Sequence, residues 1–315
     1  MSIRLCATAG LLWVLAVRLD FGRAAQMMAH AAPLLLVAAL VALLTGHLIV
    51  ALRWHLILSA EAPSPGPGAL VKLVLVGLFF NQVLPTGVGG DAVRAWRCHK
   101  LGIDLGAAIR SILLDRFCGY LVLVAVYAAS LPSLLNILAY PRQREVVIAV
   151  LGAGLLGLAA LFLFDRLPRP LLGLRLIAPI GELSREARRL FTHPRRCGAV
   201  LGLSALTIGL TILAFKLVAD GVGSCLSLGS WTVIVPPVTL VQLLPVSLAG
   251  WGVREMALVV MLASFGVPAE AALATSVLLG LCLIIGGLPG GLIWVADWDI
   301  PRPPPTPEPS KSAGV

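Results

Sequence analysis

Long apolar stretches alternate with short polar ones along this chain, and their lengths decide what each can be. Six are long enough for a helix to cross a bilayer, which takes about 20 residues: Ile3 to Leu19, Ala32 to Leu58, Ile109 to Leu131, Val146 to Phe164, Gly198 to Val218 and Ala269 to Val295. Two more, around Ala69 to Arg97 and Ser230 to Phe265, are apolar but interrupted. The first is broken by Pro85 and the glycines after it, the second by Pro236-Pro237, Pro245 and Gly250. Each predicts a re-entrant hairpin or a pair of half-helices, because irregular backbone at membrane depth is tolerated only where protein or a cavity surrounds it. The expected fold is an all-α polytopic membrane protein with about six full transmembrane helices and two broken segments.

Composition agrees. With 59% hydrophobic and 12% charged residues and a mean hydropathy of +0.97, the chain departs from a soluble globule, whose apolar fraction is near half and charged fraction near a quarter. The net charge of +9 brings nucleic acid to mind, but the arginines cluster between apolar runs with no basic-aromatic stacking patch, so topology accounts for them and no nucleic-acid partner is expected. Cys6, Cys98, Cys118, Cys197, Cys225 and Cys282 contain no C-x-x-C pair and read as small apolar packing residues. The five histidines are scattered, so no metal site or cofactor is expected. The first apolar run, behind Arg4, is read as a retained anchor, since Arg18 and Asp20 precede any small-x-small cleavage site.

The segment between Phe164 and Gly198 carries eight arginines, whereas Ala219 to Gly229 carries none. The positive-inside bias places the first in the cytoplasm. Counting crossings outward then places both termini and the Arg94-Arg97-Lys100 stretch on the same side. Three crossings separate the broken segments, so one hairpin enters from the cytoplasmic face and the other from the outer face. That is an inverted repeat, with halves near 32–135 and 198–295 inside one membrane domain spanning 1–300. Residues 184–191 read either as a basic amphipathic surface helix or as an ordinary positive loop, and the Pro-rich stretch 301–315 as a disordered cytoplasmic tail.

The candidate chemistry sits at the breaks. Gln82-Val83-Leu84-Pro85 leads into Gly87-Val88-Gly89-Gly90-Asp91-Ala92-Val93-Arg94, and Gln242-Leu243-Leu244-Pro245 leads to Gly250-Trp251-Gly252-Val253-Arg254-Glu255, every matched position shifted by the same interval. Glycines would let backbone N–H groups face a ligand, Asp91 would cap the resumed helix, and Arg94 one turn in would hold a phosphate bidentately. Tight helix packing is the competing explanation for the glycines, but packing alone does not require the same arginine offset twice. Asp115 and Arg116 interrupt a full span: Arg116 lines the same cavity as Arg94, Asp115 balances Arg94, or both snorkel to the interface.

These motifs, with Leu113-Leu114-Asp115-Arg116-Phe117-Cys118-Gly119 and Leu52-Arg53-Trp54, resemble the lysylphosphatidylglycerol synthase transmembrane-region family of flippase-like membrane proteins over nearly the whole chain. The resemblance implies a bacterial inner-membrane domain that moves a lipid or lipid-linked headgroup between leaflets, with Gly89, Gly90, Asp91, Arg94, Asp115, Arg116, Gly250, Arg254 and Glu255 as substrate-binding positions. The expected substrate is an anionic or polyprenyl-phosphate-linked lipid, and a lipid-modifying enzyme is a possible partner. In aminoacylating members a soluble domain makes the lipid. Here only the short Pro-rich tail follows the last span, so lysyltransfer is not expected and no catalytic residue is assigned. With no ATP-binding loop in the sequence, movement would be downhill or ion-coupled. An integral-membrane transferase and an accessory scaffold of a synthesis complex are the alternatives.

Overall fold

The structure, a computed structural model, describes residues 21–60, 62, 64–84, 88–163, 178–242 and 252–296. Eleven helices are described and no strand: α1 Phe21–Ala29, α2 Pro33–Leu58, α3 Pro67–Val83, α4 Gly89–Lys100, α5 Leu105–Ile137, α6 Pro141–Leu163, α7 Ala178–Thr192, α8 Pro194–Gly221, α9 Leu228–Gln242, α10 Val253–Ala263 and α11 Ala269–Ala296. Five of them, α2, α5, α6, α8 and α11, are long and apolar enough to cross a membrane. They coincide with five of the six expected spans, and the sixth, Ile3 to Leu19, lies outside the described residues, as does the Pro-rich tail. The chain is an all-α, multi-pass membrane protein.

Local chemistry sets the helix starts. Proline occupies the first turn of α2, α3 and α8, where its missing N–H has no partner to lose. Asp104 caps α5 by accepting from the Ala107 N–H at 2.9 Å. At 33 residues, α5 is about 50 Å long and outreaches a hydrocarbon core of about 30 Å.

Each expected break is a pair of short helices, α3 with α4 and α9 with α10. At 17, 12, 15 and 11 residues each is shorter than a usual span. The second break differs in detail from expectation. Pro236 and Pro237 lie inside α9 without ending it; buried neighbours on every side hold the segment, as membrane helices often hold proline. Helix α9 runs on to Gln242, and α10 follows Gly252, whose φ of 85° favours glycine. Pro85, Gly87, Pro245, Gly250 and Trp251 lie outside the described residues.

The packing has a duplicated pattern. α2 and α8 lie against each other. Within the first group α2 meets α3, α3 meets α4, and α4 and α2 meet α5; within the second, α8 meets α9, α9 meets α10, and α10 and α8 meet α11. Between groups α3 packs on α11 as α9 packs on α5, and α1 on α11 as α7 on α5. The α3 and α11 backbones approach closely: a Cβ on Gly290 would lie 1.9 Å from the Leu75 carbonyl oxygen. Only glycine fits there, as small residues do where membrane helices touch. Nearby, Arg97 stacks 4.2 Å over Trp294 and Phe80 meets the same ring edge-on at 4.7 Å, tying α3 and α4 to the end of α11.

α7 is the amphipathic helix that residues 184–191 suggested. Leu183, Ala187 and Leu190 face inward against α5, α6 and α8, while Arg185 and Arg189 are exposed. Arg110 of α5 reaches Glu186 at 2.5 Å and Glu182 at 3.0 Å, clamping α7 in place.

Candidate functional site

The first break faces a cavity of about 650 Å³, walled by α2, α3, α4, α5, α7, α8 and α9, within the size range of small-molecule sites. Two glycines bring Arg94 to it. A Cβ on Gly90 would lie 2.0 Å from the Gly77 carbonyl oxygen, so α4 presses directly onto α3, and the Gly90 N–H donates to Asn81 Oδ1 at 3.0 Å. A Cβ on Gly77 would lie 2.6 Å from Arg94 Cδ. The Arg94 stem therefore occupies the space that a side chain on Gly77 would fill. Its guanidinium stacks 4.3 Å from the Trp54 ring, which is itself fixed by donating from Nε1 to Ser111 Oγ at 3.0 Å.

Charges at the cavity are linked. Asp91 accepts from both Arg116 and Arg94, the latter through Nη1 at 3.3 Å. Asp115 accepts from Arg53 Nε at 2.7 Å, and Arg53 Nη1 donates to Ser204 Oγ at 2.8 Å. Three guanidiniums against two carboxylates leave an excess of one positive charge. Arg94 is only 6% exposed, yet its Nε and Nη2 are buried without a hydrogen-bond partner among the described residues. An unmade hydrogen bond on a buried charged donor costs about 1–3 kcal/mol or more. An anion that reached those two donors, which have almost no accessible surface of their own, would satisfy them.

Six of the sequence-predicted positions come together here. Gly89 and Gly90 form the buried first turn of α4, Asp91 pairs with both Arg94 and Arg116, and Asp115 pairs with Arg53. Of the readings left open, Arg116 does line the Arg94 cavity, while Asp115 pairs with Arg53 and Asp91 is the carboxylate bonded to Arg94. Among the described residues Asp91, in the first turn of α4, makes no capping bond: two arginines take its carboxylate.

Arg254 and Glu255 lie elsewhere, in a compact cluster at the start of α10. Arg254 Nη2 donates to Glu255 Oε1 at 2.9 Å, Ser276 Oγ donates to the same oxygen at 2.8 Å, and the Gly252 N–H donates to Glu255 Oε2 at 2.6 Å. Glu255 is 1% exposed, and neither residue lines the Arg94 cavity. Gly250 lies outside the described residues. Lys216 and Asp220, at the far end of α8, pair with each other at 2.5 Å.

Sequence reasoning assigned no role to Trp54, Gly77, Asn81, Ser204 or Arg53. Arg53 did carry a signal, being a charge inside an apolar run. The others look like ordinary membrane-helix residues until the helices are assembled.

Comparison with family models matches residues 1–290 to the family described as Lysylphosphatidylglycerol synthase TM region. Comparison with curated proteins and with solved structures finds no match.

Proposed function

The chain belongs to the lysylphosphatidylglycerol synthase TM-region family, and from that premise we propose that it is a lipid translocase of the bacterial inner membrane, passing an anionic or phosphate-linked headgroup between leaflets. One observation carries the reading: Arg94, on the wall of a cavity with an excess of one positive charge, holds two buried donors without a hydrogen-bond partner among the described residues. A phosphate dragged through hydrocarbon loses its hydration at prohibitive cost, and a cavity that presents fixed donors replaces that hydration. Arg94 is the headgroup contact, with Gly89 and Gly90 opening the N-terminus of α4 beside it. Arg116 is half exposed, its side chain 44% accessible; it shares Asp91 and can hand that carboxylate over to Arg94 or follow an arriving anion. Asp115 holds Arg53 against the wall.

In this reading α2 to α5 and α8 to α11 are the two halves of an inverted repeat. The duplicated packing supports it, as do the three spans, α5, α6 and α8, between the breaks. Gly250, Arg254 and Glu255 are then the corresponding elements for the opposite face, both termini lie in the cytoplasm, and α7 lies along the inner surface.

The test is leaflet exchange of fluorescent phospholipids in proteoliposomes, followed by dithionite quenching. Arg94→Ala should slow exchange of anionic lipids roughly tenfold to a hundredfold, as expected for loss of charge-assisted hydrogen bonds, with the thermal unfolding midpoint little changed. No exchange by the unaltered protein, for any lipid tried, would reject the translocase reading.

A further inference from the structure

The cavity surface is largely apolar, and its few polar groups differ in kind from one side to another. Donors stand on the α3 and α4 side: Arg94 Nε and Nη2, and the Asn81 amide nitrogen, whose oxygen is already used by Gly90. The wall of α2, α8 and α9 presents acceptors. Thr207, Thr211 and Thr239 each donate their hydroxyl proton to the carbonyl four residues back, at 2.9, 3.0 and 2.8 Å. All three residues line the cavity, and each of those oxygens keeps only lone pairs for a ligand. His47 adds another: Nδ1 lies 2.7 Å from the Leu43 carbonyl oxygen, which can only accept. Nδ1 therefore carries a proton, and in the neutral form of the ring Nε2 accepts.

A ligand complementary to both walls carries an anionic acceptor at one end and hydrogen-bond donors at the other. An ammonium would donate as well, but the excess positive charge opposes it, and Asp91 and Asp115 are already paired with arginines. Hydroxyl groups donate without charge. We infer that the cavity binds a phosphate joined to a polyhydroxyl group, the phosphate on Arg94 and the hydroxyls on Thr207, Thr211, Thr239 and His47; the inference rests on the proposed role of this cavity as a headgroup site.

The experiment measures binding to the full chain in detergent, using dihexanoyl phosphatidylinositol, dihexanoyl phosphatidic acid, dihexanoyl phosphatidylcholine and free inositol 1-phosphate. Phosphatidylinositol should bind about tenfold tighter than phosphatidic acid or phosphatidylcholine, the effect of a few neutral hydrogen bonds. The isosteric variant T207V/T211V/T239V should lose that preference while its affinity for phosphatidic acid stays the same. Competition by inositol 1-phosphate supports the inference and makes a soluble ester an acceptable source. Binding of phosphatidylinositol without such competition supports it and restricts the source to lipid. Equal binding of all three lipids, no binding of any, or a preference that survives the threonine changes overturns it. The translocase reading fails separately: preference for phosphatidylinositol in detergent without leaflet exchange rejects translocation and leaves the polyhydroxyl site standing.

Discussion

At the scale of single residues, glycine and arginine act together. Gly77 makes room for the Arg94 stem, so Gly77→Ala should displace that guanidinium and slow leaflet exchange much as Arg94→Ala does; its Cβ would also lie 3.2 Å from the Gly90 carbonyl oxygen, so α3 and α4 must shift slightly as well. Gly90→Ala is a different case, since its Cβ would meet backbone at 2.0 Å; it should lower the thermal unfolding midpoint in detergent as well as activity. The Arg53–Asp115 pair, nearly inaccessible on both sides, gives a sharper test. Removing one partner, as in Arg53→Met or Asp115→Asn, leaves a buried charge unpaired and should destabilise by about 3–5 kcal/mol, whereas replacing both with apolar residues should cost much less. Unfolding midpoints of the two single variants and the double variant check this. Arg94, Asp91 and Arg116 were legible in the sequence because a charge inside an apolar run announces itself. Their pairing was not, because Asp91 and Arg116 meet only when α4 folds back against α5, and Asp91 looked like a helix cap.

At the scale of elements, the lengths of apolar runs predicted the five described spans, and the density of proline and glycine predicted the two pairs of short helices. Proline was less reliable where it stood alone in apolar context. Pro236 and Pro237 read as breakers and sit inside α9, since surrounding helices, which the sequence of α9 cannot display, decide whether a proline ends a membrane helix. The same dependence on neighbours makes Gly290 important to the α3–α11 contact. Gly290→Leu should force those helices apart and reduce the yield of folded protein in detergent, measured as the monodisperse fraction by size exclusion. A leucine at the exposed Gly202 of α8 should have little effect.

At the scale of the whole molecule, the two sets of four helices repeat one scheme of contacts, and the constant spacing between the two Gln-x-Leu-Pro segments foreshadowed it. Opposite insertion of the two sets is testable by labelling. In a background with the native cysteines replaced, Leu101→Cys and Pro268→Cys, in corresponding connections after α4 and after α10, should react with a membrane-impermeant maleimide from opposite sides; reaction from the same side would reject the inverted arrangement. The two breaks are not in the same condition, however. The first opens onto a cavity with donors of Arg94 unused, while the second is drawn into a cluster of Arg254, Glu255, Ser276 and the Gly252 backbone. Because each interhelical contact within one set has its counterpart in the other, a conformer with the roles exchanged would keep the same inventory of helix pairs. Exchange between two such states, uncoupled from any energy source, would leave the net flux of the proposed translocase to the concentration difference of the lipid between leaflets, whatever the relative energies of the two.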